Sequence, residues 1–420
     1  MTSLLSVKQA QTILLDAVQP LEIERIEIRS ARGRILAEAL HAAFDMPLFT
    51  NSSADGFAVQ AGDTALASLD APAELVVVAD IPAGSEPVVA IRQGQAARIM
   101  TGAPLPQGAD AVVMVEATDH DRCDADLPAP KRVRIHSPVK PGDSIRPRGQ
   151  DVQSGAVLFS AGHALRPQDI GLLASQGFAT VPVFRRPRIA LLSSGDELLD
   201  PSQPLSPGKI YDANSYMLAA LLEDIGAEVV SAGFVRDDED AVRNKLDELT
   251  AADVDLLVTS AGVSVGAFDF IRKVIIQNGN LTFWKVDMRP GKPLAFGNYR
   301  GVPIVGLPGN PVSAFVGCLV FIAPMLMKMS GIVELHQRML QAKLLEPVES
   351  DGRESYLRAI LEFQDGNPVV RLSGHQGSAN LYALTRANAL LILPSGVKSL
   401  PAGFNVNIYP LLDGKITGYT

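Results

Sequence analysis

The sequence predicts an α/β plus β fold: a multidomain chain with a doubly wound α/β domain, a β-rich inserted domain and a C-terminal β domain. Three observations carry this. From Arg188 onward, short apolar runs alternate with helical stretches of about a dozen residues, the pattern of a parallel sheet covered on both faces. Over 45–142, and again after 338, the chain breaks into short β pieces between Gly and Pro turns. Finally, 420 residues are too many for one compact core. The boundaries read as 1–44 with 143–184 for an N-terminal linking domain, 45–142 for the insert, 185–331 for the α/β domain and 338–420 for the C-terminal domain.

The elements follow in order. Ser6 can cap a helix running to Val18, with Val7, Ala10, Ile13, Leu14, Ala17 and Val18 on one face. Leu21–Ile28 alternates apolar and charged residues, as a half-exposed strand does. Arg34–Leu40 fits a short helix or a strand equally well. Strands are expected at Leu75–Ala79, Arg98–Met100, Ala111–Glu116, Lys131–His136 and Thr180–Phe184, and a helix at Arg166–Gln176 stopped by Gly177. The α/β pattern then gives a strand at Arg188–Leu192, a helix at Asn214–Ile225, a strand at Glu228–Gly233 and a helix at Asp238–Ala251. In the tail, Tyr356–Phe363 and Pro368–Leu372 flank Gln364-Asp365-Gly366-Asn367, a hairpin signal, and strands at Leu390–Leu393 and Asn405–Tyr409 follow.

The stretch from Asp253 to Ser313 organises the chain. Strands at Val254–Ser260, Leu281–Met288 and Pro303–Leu307 each empty into a loop of small or rigid residues. These loops hold Gly262, Ser264 and Gly266; Arg289, Pro290, Gly291 and Lys292; and Pro308, Gly309 and Asn310. Upstream, Ser194 and Gly195 end the Arg188 strand in the same way. Ligands of open α/β sheets sit at the carboxyl ends of strands. Small residues let backbone N–H groups approach an anion, and helix N-termini add positive potential. A phosphorylated or oxyanionic small molecule is the expected ligand. Arg289 and Lys292 suit a tetrahedral oxyanion, although a solvated turn explains them as well. Asp196, Glu197, Asp237 and Asp269 recur at strand ends, and clustered carboxylates suit Mg²⁺ beside a phosphate. Glu197, Asp237 and Asp269 also fit as helix caps or first-turn acids.

Composition narrows the partners. A net charge of −9 without a long basic stretch disfavours nucleic acid. Cys123 and Cys318 stand far apart in no metal spacing, as in a reducing, cytoplasmic compartment. The N-terminus lacks the pattern of a signal peptide. Pro311–Met327 is uncharged and apolar but short for a membrane span and interrupted by Pro324, so it reads as a core or subunit-interface helix. Neither a P-loop nor a Gly-x-Gly-x-x-Gly after a strand is present, and the histidines have no zinc-ligand spacing.

A set of motifs in fixed order adds a family. They are Asn51–Val59 (NSSADGFAV), Arg98–Glu116 (RIMTGAPLPQGADAVVMVE), Pro187–Leu198 (PRIALLSSGDEL), Lys209–Leu218 (KIYDANSYML), Gly262–Asp269 (GVSVGAFD), Arg289–Gly297 (RPGKPLAFG) and Leu307–Ser313 (LPGNPVS). In these the chain resembles the molybdopterin molybdenumtransferases, called MoeA in bacteria and matched by the E domain of gephyrin. The resemblance implies an elongated homodimer of four-domain subunits whose active cleft is shared between chains. It implies that the α/β domain binds molybdopterin, that adenylylated molybdopterin and molybdate are substrates, that AMP leaves, and that Mg²⁺ assists. Carried over position by position, it makes Asp55, Thr101, Asp143, Glu197, Asp237 and Asp269 the functional polar set, with Glu197, Asp237 and Asp269 toward the metal. It assigns Arg289, Lys292, Arg353 and Ser378 to the molybdate pocket. One departure is Ser260-Ala261-Gly262, where the family usually has Ser-Gly-Gly. The rival readings are molybdopterin adenylyltransferase, an activity of related single-domain proteins that is also a possible partner, and a non-catalytic molybdopterin-binding scaffold.

Overall fold

The computed structural model describes residues 4–120, 128–261, 267–332 and 339–411. The chain forms two compact units. One comprises Met1–Glu38, Ala161–Ala174 and Phe178–Thr420; the other comprises Ala39–Ser160 and Ser175–Gly177.

The first unit is built on a six-stranded sheet. Its strands are β1 (Arg188–Ser194), β2 (Glu228–Val235), β3 (Leu256–Ala261), β4 (Gly279–Lys285), β5 (Pro293–Tyr299) and β6 (Val302–Pro308), in the order β2-β1-β3-β6-β5-β4. The helices are α1 (Ala213–Ile225), α2 (Glu239–Thr250) and α3 (Ala267–Asn278), followed by α4 (Pro311–Gly317), a π-turn over Cys318–Ile322 and α5 (Ala323–Met329). Along β1, Ile189 and Leu191 pack with Leu218, Leu222 and Val316, whereas Ala190 and Leu192 pack with Val242, Leu246 and Ile271. Both faces are therefore covered, which is why the central strands read as continuous apolar runs.

The expectation of a wholly parallel sheet is corrected at one strand. β2, β1, β3 and β6 are parallel, but β5 pairs antiparallel with both β6 and β4. The cause is the turn between β5 and β6. Arg300 and Gly301 adopt φ of 49° and 92°, the left-handed pair of a two-residue hairpin turn, and so short a link permits only antiparallel pairing. Because β4 pairs antiparallel with β5, it runs parallel to β6, and its carboxyl end returns to the common rim.

The apolar segment Pro311–Met329 is 89% buried and forms the centre of this unit. The N-terminal helix Val7–Asp16 lies against it, capped by Ser6 in a reciprocal box with Gln9. Gln11 Nε2 donates to Val320 O at 2.9 Å within the π-turn, and Lys328 Nζ donates to Leu15 O at 2.8 Å. Arg34–Leu40, undecided from sequence, contributes bridges at Ile35 and Leu36 rather than a helix.

The tail closes a second six-stranded sheet in the same unit. Its strands are Glu354–Gln364, Asn367–Leu372, Leu340–Leu344, Asn405–Pro410 and Ala389–Leu393, with Glu354–Gln364 pairing Ala389–Leu393 to complete the ring. The sixth strand, Met288–Arg289, comes from the loop after β4. The expected hairpin turns at Asp365 and Gly366, with φ of 51° and 78°.

The second unit holds a five-stranded sheet ordered Ala111–Met114, Gly56–Val59, Gln95–Ile99, Ala73–Ile81 and Arg132–Ile135. Its core is Phe57, Val59, Leu75, Val113, Val133 and Ile135, all buried. Cys123 lies outside the described residues.

Candidate functional site

The sheet order defines where a ligand belongs. The chain leaves β1 toward β2 on one side and then crosses to β3 on the other, so the topological switch point lies between the carboxyl ends of β1 and β3. Ser194 of β1 pairs with Ala261 of β3 and with Val235 of β2 at that rim. Asn214, in the first turn of α1, bridges the loops beyond. Its Nδ2 donates to Ser260 Oγ at 2.7 Å and to Gly309 O at 2.7 Å. Three buried polar atoms here lack a hydrogen-bond partner: Ser194 Oγ, Asn214 Oδ1 and Asp237 Oδ1. Such atoms each cost about 1–3 kcal/mol, and their gathering at one rim marks a place completed by a ligand.

The rim beyond β1 and β2 is acidic. Asp237 N donates to Asp196 Oδ1 at 3.2 Å, and Gly195 N donates to Val235 O at 3.2 Å. The Glu197 carboxylate lies against Gly195, where an added Cβ would come within 2.8 Å of its Oε2 and make the Glu197 side chain shift. Burial, then the charges of Asp196 and Glu197, raise the Asp237 carboxyl above its ordinary value. The cap reading is replaced for two acids. Asp238, not Asp237, caps α2, accepting from Ala241 N at 2.8 Å, and Glu197 sits in the loop before Leu198–Leu199. Asp269 stands in the first turn of α3, and its side chain lies outside the described residues. Gly262, Ser264 and Gly266 lie outside them too.

An orphaned Asp237 oxygen facing two further carboxylates fits a divalent cation. Among the described residues no group of three His, Cys, Asp or Glu side chains could hold one alone.

The rim beyond β4 and β6 is cationic. A cleft of about 320 Å³ is lined by Arg289, Lys292, Asn310, Arg353, Arg358 and Ser378, with Pro308 beside them. Asn310 Nδ2 donates to Ser378 Oγ at 3.1 Å, and Val312 N donates to Ser378 O at 3.1 Å, so the tail loop is fastened to the start of α4. The sequence missed Arg358. It is 1% exposed, donates from Nη2 to His375 O at 2.9 Å and Gly377 O at 3.2 Å, and leaves Nε without a partner. The available signal was an arginine inside the apolar strand run Tyr356–Phe363. Arg353 lines the cleft, but its fork is engaged: Nη1 donates to Met288 O at 2.9 Å, and Nε and Nη2 donate to Asp351. Its guanidinium therefore braces the tail against the β4 loop, while Arg358 carries the unfilled donor.

In the other unit, Asp55 and Thr101 come together. Asp55 Oδ1 accepts from Thr101 N at 2.7 Å and from Thr101 Oγ1 at 2.7 Å. Asp143 closes its own turn, accepting from Lys140 N at 2.7 Å. All three are exposed.

Comparison with known proteins agrees with this architecture. Residues 5–177 match the MoeA N-terminal region (domain I and II), residues 190–328 a probable molybdopterin binding domain, and residues 341–411 the MoeA C-terminal region (domain IV). The chain is 37% identical to molybdopterin molybdenumtransferase 2 of Mycobacterium tuberculosis, over 97% of this chain and 99% of that protein. It is 35% identical to molybdopterin molybdenumtransferase of a Nostoc species, over 98% and 94%. The crystal structure of molybdopterin biosynthesis moea protein from Pyrococcus horikosii superposes with a TM-score of 0.80 at 30% identity, covering 98% of this chain and all of that one. On its sequence, fold and rim together, the chain belongs to the molybdopterin molybdenumtransferase family.

Proposed function

We propose that this protein inserts molybdenum from molybdate into adenylylated molybdopterin and releases AMP. The observation that carries the reading is one sheet rim with a carboxylate cluster at one end and an oxyanion-sized cationic cleft at the other. Ser194, Gly195 and the Pro308-Gly309-Asn310 turn receive the pterin and its phosphates, together with Gly262, Ser264 and Gly266 of the sequence motif. Arg289, Lys292, Arg358 and Ser378 hold molybdate, with Arg353 bracing the loop that presents Arg289. Glu197, Asp237 and Asp269 hold Mg²⁺, which when bound offsets charge on the departing phosphate. Asp237, destabilised as a carboxylate by burial and then by the charges of Asp196 and Glu197, becomes a good ligand once a cation arrives.

The same reading assigns Asp55, Thr101 and Asp143 to the active cleft, brought to the rim of a second copy in a homodimer. It divides the chain at 44, 142, 184 and 331 into four domains. It places the protein in the cytoplasm, receiving its adenylylated substrate from an adenylyltransferase that is a possible partner. The purified full-length protein, given adenylylated molybdopterin, molybdate and Mg²⁺, is expected to release AMP and yield cofactor that activates an apo-molybdoenzyme. Pterin binding without AMP release at any Mg²⁺ concentration would leave a scaffold and overturn the enzyme reading. ATP consumption dependent on molybdopterin would instead indicate the adenylylation step.

A further inference from the structure

Asp351, paired with the cleft-lining Arg353, is an acid for which the proposed reaction has no task. Asp351 Oδ2 accepts from Arg353 Nε at 3.0 Å and from Arg353 Nη2 at 2.5 Å, while Asp351 Oδ1 accepts from Arg353 N at 3.1 Å. Its carboxyl is held below the usual range, first by the hydrogen-bonded Arg353 side chain and also by the charge of Arg289. It is therefore ionised at neutral pH. The pair is the one ion pair made by a cleft-lining residue among the described residues. The Asp351 side chain is 40% exposed, so the charge stands at the surface behind Arg353.

A turn latch would explain the backbone bond from Arg353 N but does not require a full negative charge on the partner of a cleft-lining arginine. The charge matters because repulsion scales with the charge of the ligand. A carboxylate beside Arg353 and within the field of Arg289 weakens the hold on a dianion about twice as strongly, in free energy, as the hold on a monoanion.

We propose that Asp351 is a specificity-determining residue: a built-in competitor for the cleft's cations that lowers its affinity for tetrahedral dianions. This rests on reading the cleft as the oxyanion site. Asp351 narrows the preference for dianions over monoanions and lets the bound oxyanion leave the cleft more readily. Its chemistry is separable from the latch because an amide at 351 keeps an acceptor oxygen for Arg353 and removes the charge.

Calorimetric titration of the full-length protein with sodium molybdate, tungstate and perchlorate tests it. Asp351→Asn is expected to bind molybdate and tungstate about three- to tenfold tighter at low ionic strength, with a gain of about the square root of that factor for perchlorate. The gain shrinks as salt is added. Asp351→Glu, which keeps the charge, stays near wild type, and Asp351→Ala, which loses both charge and acceptor, still gains for dianions. A wild type that binds molybdate beside an Asp351→Asn variant that binds it equally or more weakly overturns the role of Asp351 and leaves the cleft reading intact. Gains of the same factor for molybdate and perchlorate also overturn it. A wild type that binds no molybdate removes the cleft reading, and this proposal with it.

Discussion

The two ends of the rim handle crowded charge by different means. At the acidic end, Asp196, Glu197 and Asp237 sit on loops, and burial, then the charges of Asp196 and Glu197, raise the Asp237 carboxyl. At the cationic end, Arg358 is built into a strand, buried and held by the carbonyls of His375 and Gly377. Loop acids can shift to relieve strain, whereas a strand arginine is fixed by its sheet. The acidic end thus gathers charge that is costly on its own, while the cationic end holds its arginine in place by its sheet.

This contrast can be broken by substitution. The largest effect is expected at Arg358. Arg358→Ala removes a buried charge aimed into the cleft, and molybdate affinity should fall about a hundredfold, with Arg358→Lys recovering part of it. Calorimetry with molybdate reads this, and a loss below threefold would mean the pocket does not depend on its fixed member. Next comes the link between the ends. Asn214→Ala breaks the bonds to Ser260 Oγ and Gly309 O. Chemical denaturation should show a loss of about 1–3 kcal/mol, the range for stranding buried partners. An unchanged midpoint would show that the two loops are tied elsewhere.

The smallest effect is at Asp237. Its folded-state carboxyl titrates above the unfolded value of 3.8. The folded state therefore holds its proton longer, and the stability this gives is present below pH 3.8 and lost as pH rises through the folded value. At neutral pH the charge is a liability without a cation. Asp237→Asn should raise the melting temperature in EDTA by about 1–3 °C and abolish any rise that Mg²⁺ gives the wild type. A lower melting temperature in EDTA would place Asp237 in a favourable environment instead.

Much of the fold was legible because it follows local rules. The Ser6 cap, the Asp365-Gly366 hairpin and the apolar runs of β1 and β3 declare themselves over a few residues. β5 did not. Its turn is Arg300-Gly301, and arginine in a left-handed conformation has no propensity signal; the pairing supplies it. The short helix Leu381–Thr385 was also missed, since one turn carries too little periodicity. At the candidate site, Glu197, Asp237, Arg289 and Lys292 were singled out because they follow expected strand ends, which chain order predicts. Arg358 was not, because its meaning depends on closure of the tail sheet, a long-range event. The family resemblance assigns Arg353, whose fork is engaged with Asp351 and Met288 O, and the structure adds Arg358 beside it in the cleft lining.

The strand Met288–Arg289 belongs by sequence to the α/β body and by pairing to the tail sheet. The tail is for that reason not a removable appendage. A chain cut near residue 338 would leave Met288–Arg289 without its hydrogen-bonded neighbour and free Arg289 to wander. Splitting this protein into separately expressed halves would cost the cationic cleft even if each half kept its shape.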